Sequence, residues 1–215
     1  MRAVGVICEY NPFHSGHEFH IRRAREITGL PVLCVMSGHF VQRGEAAIMN
    51  KFARAEIAVL CGADLVLELP VSWACAGAQR FAAGGVGLLS SSGVVSHIAF
   101  GSESANLDAI TAAARLTLDA GVNEQLRRLL STGTAYAAAR QRAVEMANPA
   151  AGALLSLPND TLGIEYVRAI LENGCPLTPV CIRREGAVHD GTAAGAFASA
   201  SYIRALLRTG RADTA

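Results

Sequence analysis

The chain has 215 residues, 51% of them apolar, with a formal net charge of +1. That excludes a disordered chain and leaves room for one sizeable core, or one domain carrying an insertion. A near-neutral total argues neither for nor against a nucleic-acid partner, because a basic patch can hide within it.

The spacing predicts a first strand over Ala3 to Cys8, then a polar turn, then a helix from about His17 to Ile27. Pro31 to Met36 reads as a second buried strand, ended by Ser37-Gly38. Asn50 to Cys61 has helical spacing, with Phe52, Ala55, Ile57, Ala58 and Val59 apolar and Gly62 suited to the C-terminal cap. A third strand, Asp64 to Leu69, stops at Pro70. A helix over Ala78 to Leu89 is followed by a fourth strand, His97 to Phe100. From Leu107 to Met146 the chain is rich in Ala, Leu, Arg and Glu and shows no strand; two helices meeting near Gly121 or Gly133 fit it. Asn159 or Asp160 is placed to cap a helix running to about Glu172. Thr178 to Arg183 is a fifth strand, Gly186 to Phe197 a Gly/Ala-rich loop, Ser199 the start of a last short helix, and Thr209 to Ala215 a frayed end.

Near-continuous apolar strands alternating with helices predict an α/β fold, a parallel sheet covered on both faces. Functional residues should collect at the carboxyl ends of its strands. The expected division is a core over 1–104, a helical insertion over 105–157, and a return to the core over 158–215. The six cysteines have no CxxC spacing and sit mostly in apolar runs, so they read as reduced thiols of a cytoplasmic protein, not as a zinc site. Glu9 interrupts the apolar start too soon for a signal peptide, and no apolar run reaches ~18 residues, so no membrane partner is expected.

The most informative stretch is His14-Ser15-Gly16-His17, between a strand and a helix. Free N–H groups at a helix start favour phosphate, glycine permits close approach, and each imidazole can donate to a phosphate oxygen or carry charge if its pKa is raised. Three further polar clusters follow strands: Ser37 to Glu45 leading to Lys51 and Arg54, then Phe100 to Glu103, then Arg183-Arg184 with Ser199 to Arg204. Together they supply cations, hydroxyls and backbone glycine suited to a polyphosphate.

These residues carry a resemblance. The HxGH spacing is that of nucleotidyltransferases related to class I aminoacyl-tRNA synthetases. The run Glu9-Tyr10-Asn11-Pro12-Phe13-His14-Ser15-Gly16-His17, with Met36-Ser37-Gly38, Phe40 to Glu45, Gly62 to Pro70, Phe100 to Glu103, Asn159 to Tyr166 and Ser199-Ala200-Ser201-x-Ile203-Arg204, resembles the tRNA(Met) cytidine acetate ligase family along nearly the whole chain. It departs from the family at Ser15 and His39, where Asn is usual, and at Ser201, where Thr is usual. Members usually continue past this last helix, so the resemblance speaks more for ATP than for tRNA contacts.

The resemblance implies a Rossmann-like nucleotidyltransferase fold that uses ATP and Mg2+ to join acetate to the wobble cytidine of elongator tRNA(Met) through acetyl-adenylate, releasing AMP and pyrophosphate. It implies catalytic roles for His14 and His17. It implies ATP contacts from Ile7, Glu9, Tyr10, Asn11, Pro12, Phe13, Ser15, Gly16, His20, Gly101, Asn159 and Arg184, with Ser199, Ser201 and Arg204 on the β- and γ-phosphates. The alternatives are a nucleotidyltransferase of the same fold adenylating another small substrate, and an ATP-binding module without catalysis. No all-protein metal site and no oligomeric state is specified. Blander roles stand beside these: Lys51 and Arg54 as a solvated helix face, Asp64 and Glu68 in packing or capping, and Asp160 as an N-cap only. His20 reads as helix surface, His97 and His189 as structural or solvated, and Trp73 as core.

Overall fold

The central apolar runs become strands because the fold buries their side chains on both faces, while the edge strands are only partly covered. The computed structural model describes residues 2–184 and 199–209. Strands β1 (Ala3–Cys8), β2 (Val32–Ser37), β3 (Leu65–Leu69), β4 (Val95–Ser102) and β5 (Thr178–Arg183) form one parallel sheet in the order β3-β2-β1-β4-β5. Val6 lies opposite Cys34 of β2 and Ala99 of β4, which sets the register of the centre.

Alternation along β1 divides the molecule into two cores. Val4, Val6 and Cys8 face α1 (Ser15–Thr28) and α2 (Lys51–Leu60), meeting Ile21, Ala24 and Ala58. Ala3 and Ile7 face the other side, where α4 (Ala78–Ser91), α5 (Leu107–Leu118) and α9 (Pro158–Asn173) bring Phe81, Leu89, Ile110 and Ile164. Each fully buried Ile or Leu there contributes about 2 kcal/mol of apolar burial. Close approach needs glycine at two points: a Cβ at Gly85 would stand 2.5 Å from Ile7, and one at Gly163 would stand 2.6 Å from Phe100.

The helical stretch differs from expectation. It forms α5, α6 (Ala120–Ser131) and α7 (Tyr136–Ala147), with a short α8 (Pro149–Leu154), in place of two helices. Asp119 makes the extra break: it ends α5 and caps α6 by accepting from the Val122 N–H at 3.0 Å. Asn148 starts α8 in the same way, accepting from Ala151 at 3.1 Å. A further short helix, α3 (Val71–Ala74), follows Pro70 and was not foreseen. Trp73 on it packs against Gly84, in keeping with a core role. The last helix is α10 (Ala200–Arg208). The expected loop Gly186 to Phe197 with His189, and the tail from Gly210, lie outside the described residues. Among the described residues, no helix is long and apolar enough to cross a membrane.

Candidate active site

From β1 the chain steps to β2 and β3 on one side, then to β4 and β5 on the other. That reversal opens a crevice at the carboxyl ends of β1 and β4, where open α/β sheets bind ligands. Three expected segments meet there: the Glu9 to His17 turn after β1, Gly101 to Glu103 closing β4, and Arg184 just past β5.

His14 is the N-cap of α1, which therefore begins earlier than predicted. Its Nδ1 accepts from the Gly16 N–H at 3.1 Å, and His17 Nδ1 accepts in return from the His14 N–H at 3.3 Å. This is a capping box built from two histidines. The rings stack at 3.7 Å, and His17 also packs against Tyr10 at 4.9 Å and Phe13 at 5.6 Å. With both Nδ1 atoms accepting, the neutral rings carry their protons on Nε2, as donors for an incoming oxygen.

Burial, then the nearby Arg184, lowers His14 to about 4 from its ordinary 6.5. Burial lowers His17 further, helped by His14, His20 and Arg184. The imidazoles are therefore neutral at pH 7, and the possibility of a raised pKa is not realised. His20 departs from its surface reading: its Nε2 is buried without a hydrogen-bond partner, and burial with Arg184 lowers it to about 4. Permanent positive charge at this end comes from Arg184, whose N–H donates to Ser102 O at 3.0 Å, beside Gly101.

Ser199 caps α10, accepting from the Tyr202 N–H at 3.1 Å. Arg204 reaches the turn, donating to Asn11 O at 2.7 Å and to Ser201 Oγ at 3.2 Å. The terminal motif and the HxGH turn are thus brought together. Arg208 pairs with Glu45 at 2.9 Å.

Other residues around the turn hold it. Glu9 accepts from the Gln42 N–H at 2.7 Å, within a short 3-10 turn (Gln42–Gly44), and burial raises its pKa against that bond and the pull of Arg204 and Arg54. Asn11 is buried and accepts from the Ile48 N–H at 2.9 Å. Pro12 is buried, Ser15 is exposed at the helix start, and Ile7 turns its side chain away toward α4. Arg54 is not on a solvated face. It is fully buried and donates to the carbonyls of Glu9, Gly38, Ser37 at 3.1 Å and Met49 at 3.2 Å. Lys51 pairs with Glu68 at 2.6 Å. Asp64 serves structure, accepting from the Val32 N–H at 2.7 Å and pairing with Arg25 at 2.5 Å.

At β4 the cap of α9 comes from elsewhere in the chain. Leu157 is the N-cap residue, with Pro158 in the first turn, in place of Asn159 or Asp160. Glu103 supplies the acceptors, taking the Asn159 N–H at 3.2 Å, its Nδ2 at 2.6 Å and the Asp160 N–H at 2.9 Å. Asp160 is buried, accepting from Ser102 Oγ and from the Ser104 N–H at 3.1 Å. Asn159 thereby stands at the end of β4. His97, near the start of β4, bonds Ser96 Oγ at 2.9 Å and takes no part. A small cavity lined by Thr117, Asn123, Tyr136, Arg140 and Arg168 also lies apart from these motifs.

A parallel sheet in this order, with a histidine-capped helix at its switch point, defines a Rossmann-like nucleotidyltransferase fold. The family described as HIGH Nucleotidyl Transferase matches residues 1–215, and the chain belongs to it. A tRNA(Met) cytidine acetate ligase of Syntrophotalea carbinolica is 48% identical, covering 98% of this chain and 52% of that protein. One of Fervidobacterium nodosum is 42% identical, covering 97% of this chain and 50% of that protein. A crystal structure of Thermotoga maritima TmcAL bound with alpha-thio ATP superposes with a TM-score of 0.90 at 39% identity, covering 98% of this chain and 51% of that one. The chain spans about half the length of the curated relatives it matches.

Proposed function

We propose that this chain binds ATP in the β1/β4 crevice and forms acetyl-adenylate there for transfer to the wobble cytidine of elongator tRNA(Met). The observation that carries this is the reciprocal His14–His17 box at the switch point, with two Nε2 donors beside Arg184. The names of the relatives and the ATP analogue bound by the Thermotoga maritima structure support it.

In this reading a carboxylate oxygen of acetate attacks the α-phosphorus and pyrophosphate leaves with the bond it breaks. The cytidine exocyclic amine then attacks the acyl carbon, and AMP leaves. Acetate is itself the nucleophile, so the protein need only orient the reactants and stabilise charge. His14 and His17 donate to oxygens of the reacting phosphate. Ser199, Ser201 and Arg204 hold the β- and γ-phosphates, and Arg204 exchanges the Asn11 carbonyl for them. Gly101, Asn159 and Arg184 line the nucleoside side, and the remaining residues from Ile7 to His20 shape the floor. Mg2+ would enter with ATP as the counter-ion of its polyphosphate.

The test is acetate-dependent exchange of labelled pyrophosphate into ATP. Exchange that requires acetate and is lost in His17→Asn supports the reading. Exchange that proceeds equally with other small carboxylates and not acetate would move the substrate, and no ATP binding at all would refute it.

A further inference from the structure

We propose that Arg54 is a positioning residue for the HxGH turn: its buried guanidinium fixes the main-chain path that delivers His14 and His17 to the crevice. This rests on reading that crevice as the nucleotide site.

The guanidinium reaches in from α2, on the face of the sheet that also carries α1, and its hydrogen bond to the turn goes to the main-chain carbonyl of Glu9. Its donors go to four carbonyls on three segments: Glu9 at the end of β1, Ser37 and Gly38 at the end of β2, and Met49 before α2. Among the described residues it is the largest fully buried side chain. A buried charge is costly, and a core position of this volume is filled more cheaply by an apolar residue. What the charge supplies here is a planar fork that satisfies carbonyls where two strands end and their ladders stop.

The segment it grips needs holding. Tyr10, next to Glu9, has φ 50°, a left-handed conformation that a tyrosine rarely adopts. Its ring is the platform against which His17 packs. From the opposite side Arg204 holds the Asn11 carbonyl. If Arg204 turns to phosphate, as the proposed function requires, Arg54 remains the permanent anchor. Lysine keeps the charge but presents its donors from one point and cannot span the four carbonyls.

The experiment compares Arg54→Lys with Ile110→Ala, a core change in α5 away from the turn that also lowers stability. Melting temperature, the imidazole carbon–proton NMR resonances of His14 and His17, and ATP affinity are read for each. The expected result is displaced His14 and His17 resonances and at least tenfold weaker ATP binding in R54K, with both unchanged in I110A at a comparable loss of melting temperature. Resonances that superimpose on those of the unaltered chain, with ATP affinity within twofold, overturn the proposal. If the unaltered chain does not bind ATP, the site reading falls, and the histidine resonances still decide the role of Arg54. A measurement without substitution covers an R54K that does not fold: the Arg54 Nε–H of the unaltered chain should be protected from exchange with solvent deuterium, with or without ATP, and an Nε–H that exchanges as fast as those of exposed arginines overturns the proposal.

Discussion

Glu103→Ala tests whether α9 is capped from β4. The first four N–H groups of a helix lack internal partners, and Glu103 takes two of them, Asn159 at 3.2 Å and Asp160 at 2.9 Å. Loss of such a cap costs about 1–2 kcal/mol, and loss of a carboxylate at the positive end of a helix about 0.5 kcal/mol more. A total near 2 kcal/mol lowers the melting temperature of a chain of this size by about 4–8 °C. Glu103→Gln keeps an acceptor oxygen and should lose about half as much. Burial raises the Glu103 pKa, but the bonds from Asn159 and Asp160 outweigh it and hold the group below its ordinary 4.5. The carboxylate's contribution is therefore full above that value and disappears as pH falls through the lowered one. Thermal melts of both variants at pH 7 and pH 4 check this. A Glu103→Ala melt within about 1 °C of the unaltered chain at pH 7 would refute the cap, as would a gap that widens in acid.

The neutral histidines predict acid sensitivity of the opposite origin. Their lowered pKa means that the unfolded chain binds more protons between about 6.5 and about 4, so stability falls over that window as pH drops. His20 alone should cost about 2 kcal/mol between pH 7 and pH 5, read by urea unfolding, and a flat profile would contradict it. His17→Ala should lose about 1–2 kcal/mol of stability, because the ring packs on Tyr10, Phe13 and His14 and does not stand in solvent, and it should cut pyrophosphate exchange at least about 100-fold. Glu165→Ala strands the buried Arg140 guanidinium and should cost about 3–5 kcal/mol, whereas replacing both with apolar residues should restore much of it; melts of the two variants decide.

The strands were legible because runs such as Val32 to Met36 are apolar enough to be buried on both faces, and that alone predicts a parallel sheet. The HxGH turn was legible from spacing, and its position at the β1/β4 switch follows from the strand order. What escaped depended on contacts distant in sequence. In α2 the apolar pattern took in Phe52, Ala55, Ile57, Ala58 and Val59; Ala58 is buried as it implies, yet Phe52 is 73% exposed and Arg54 is buried in its place. The guanidinium outcompetes phenylalanine for the inner face because four carbonyls wait there, and a pattern of apolar residues holds no record of carbonyls. Glu103 was likewise invisible as a cap, since it acts on residues more than fifty positions away. Asp119 was readable in principle: an Asp inside an Ala/Leu-rich run is a local signal for a new helix start.

The most direct measurement combines the protein with ATP, Mg2+, acetate and unmodified elongator tRNA(Met), then digests the tRNA and assays acetylcytidine by mass spectrometry alongside AMP. The proposed function predicts acetylcytidine and AMP in equal amounts, both lost in His17→Asn. AMP without acetylcytidine would contradict transfer to tRNA while leaving the adenylating site intact, and neither product would contradict the assignment of the HxGH turn to catalysis.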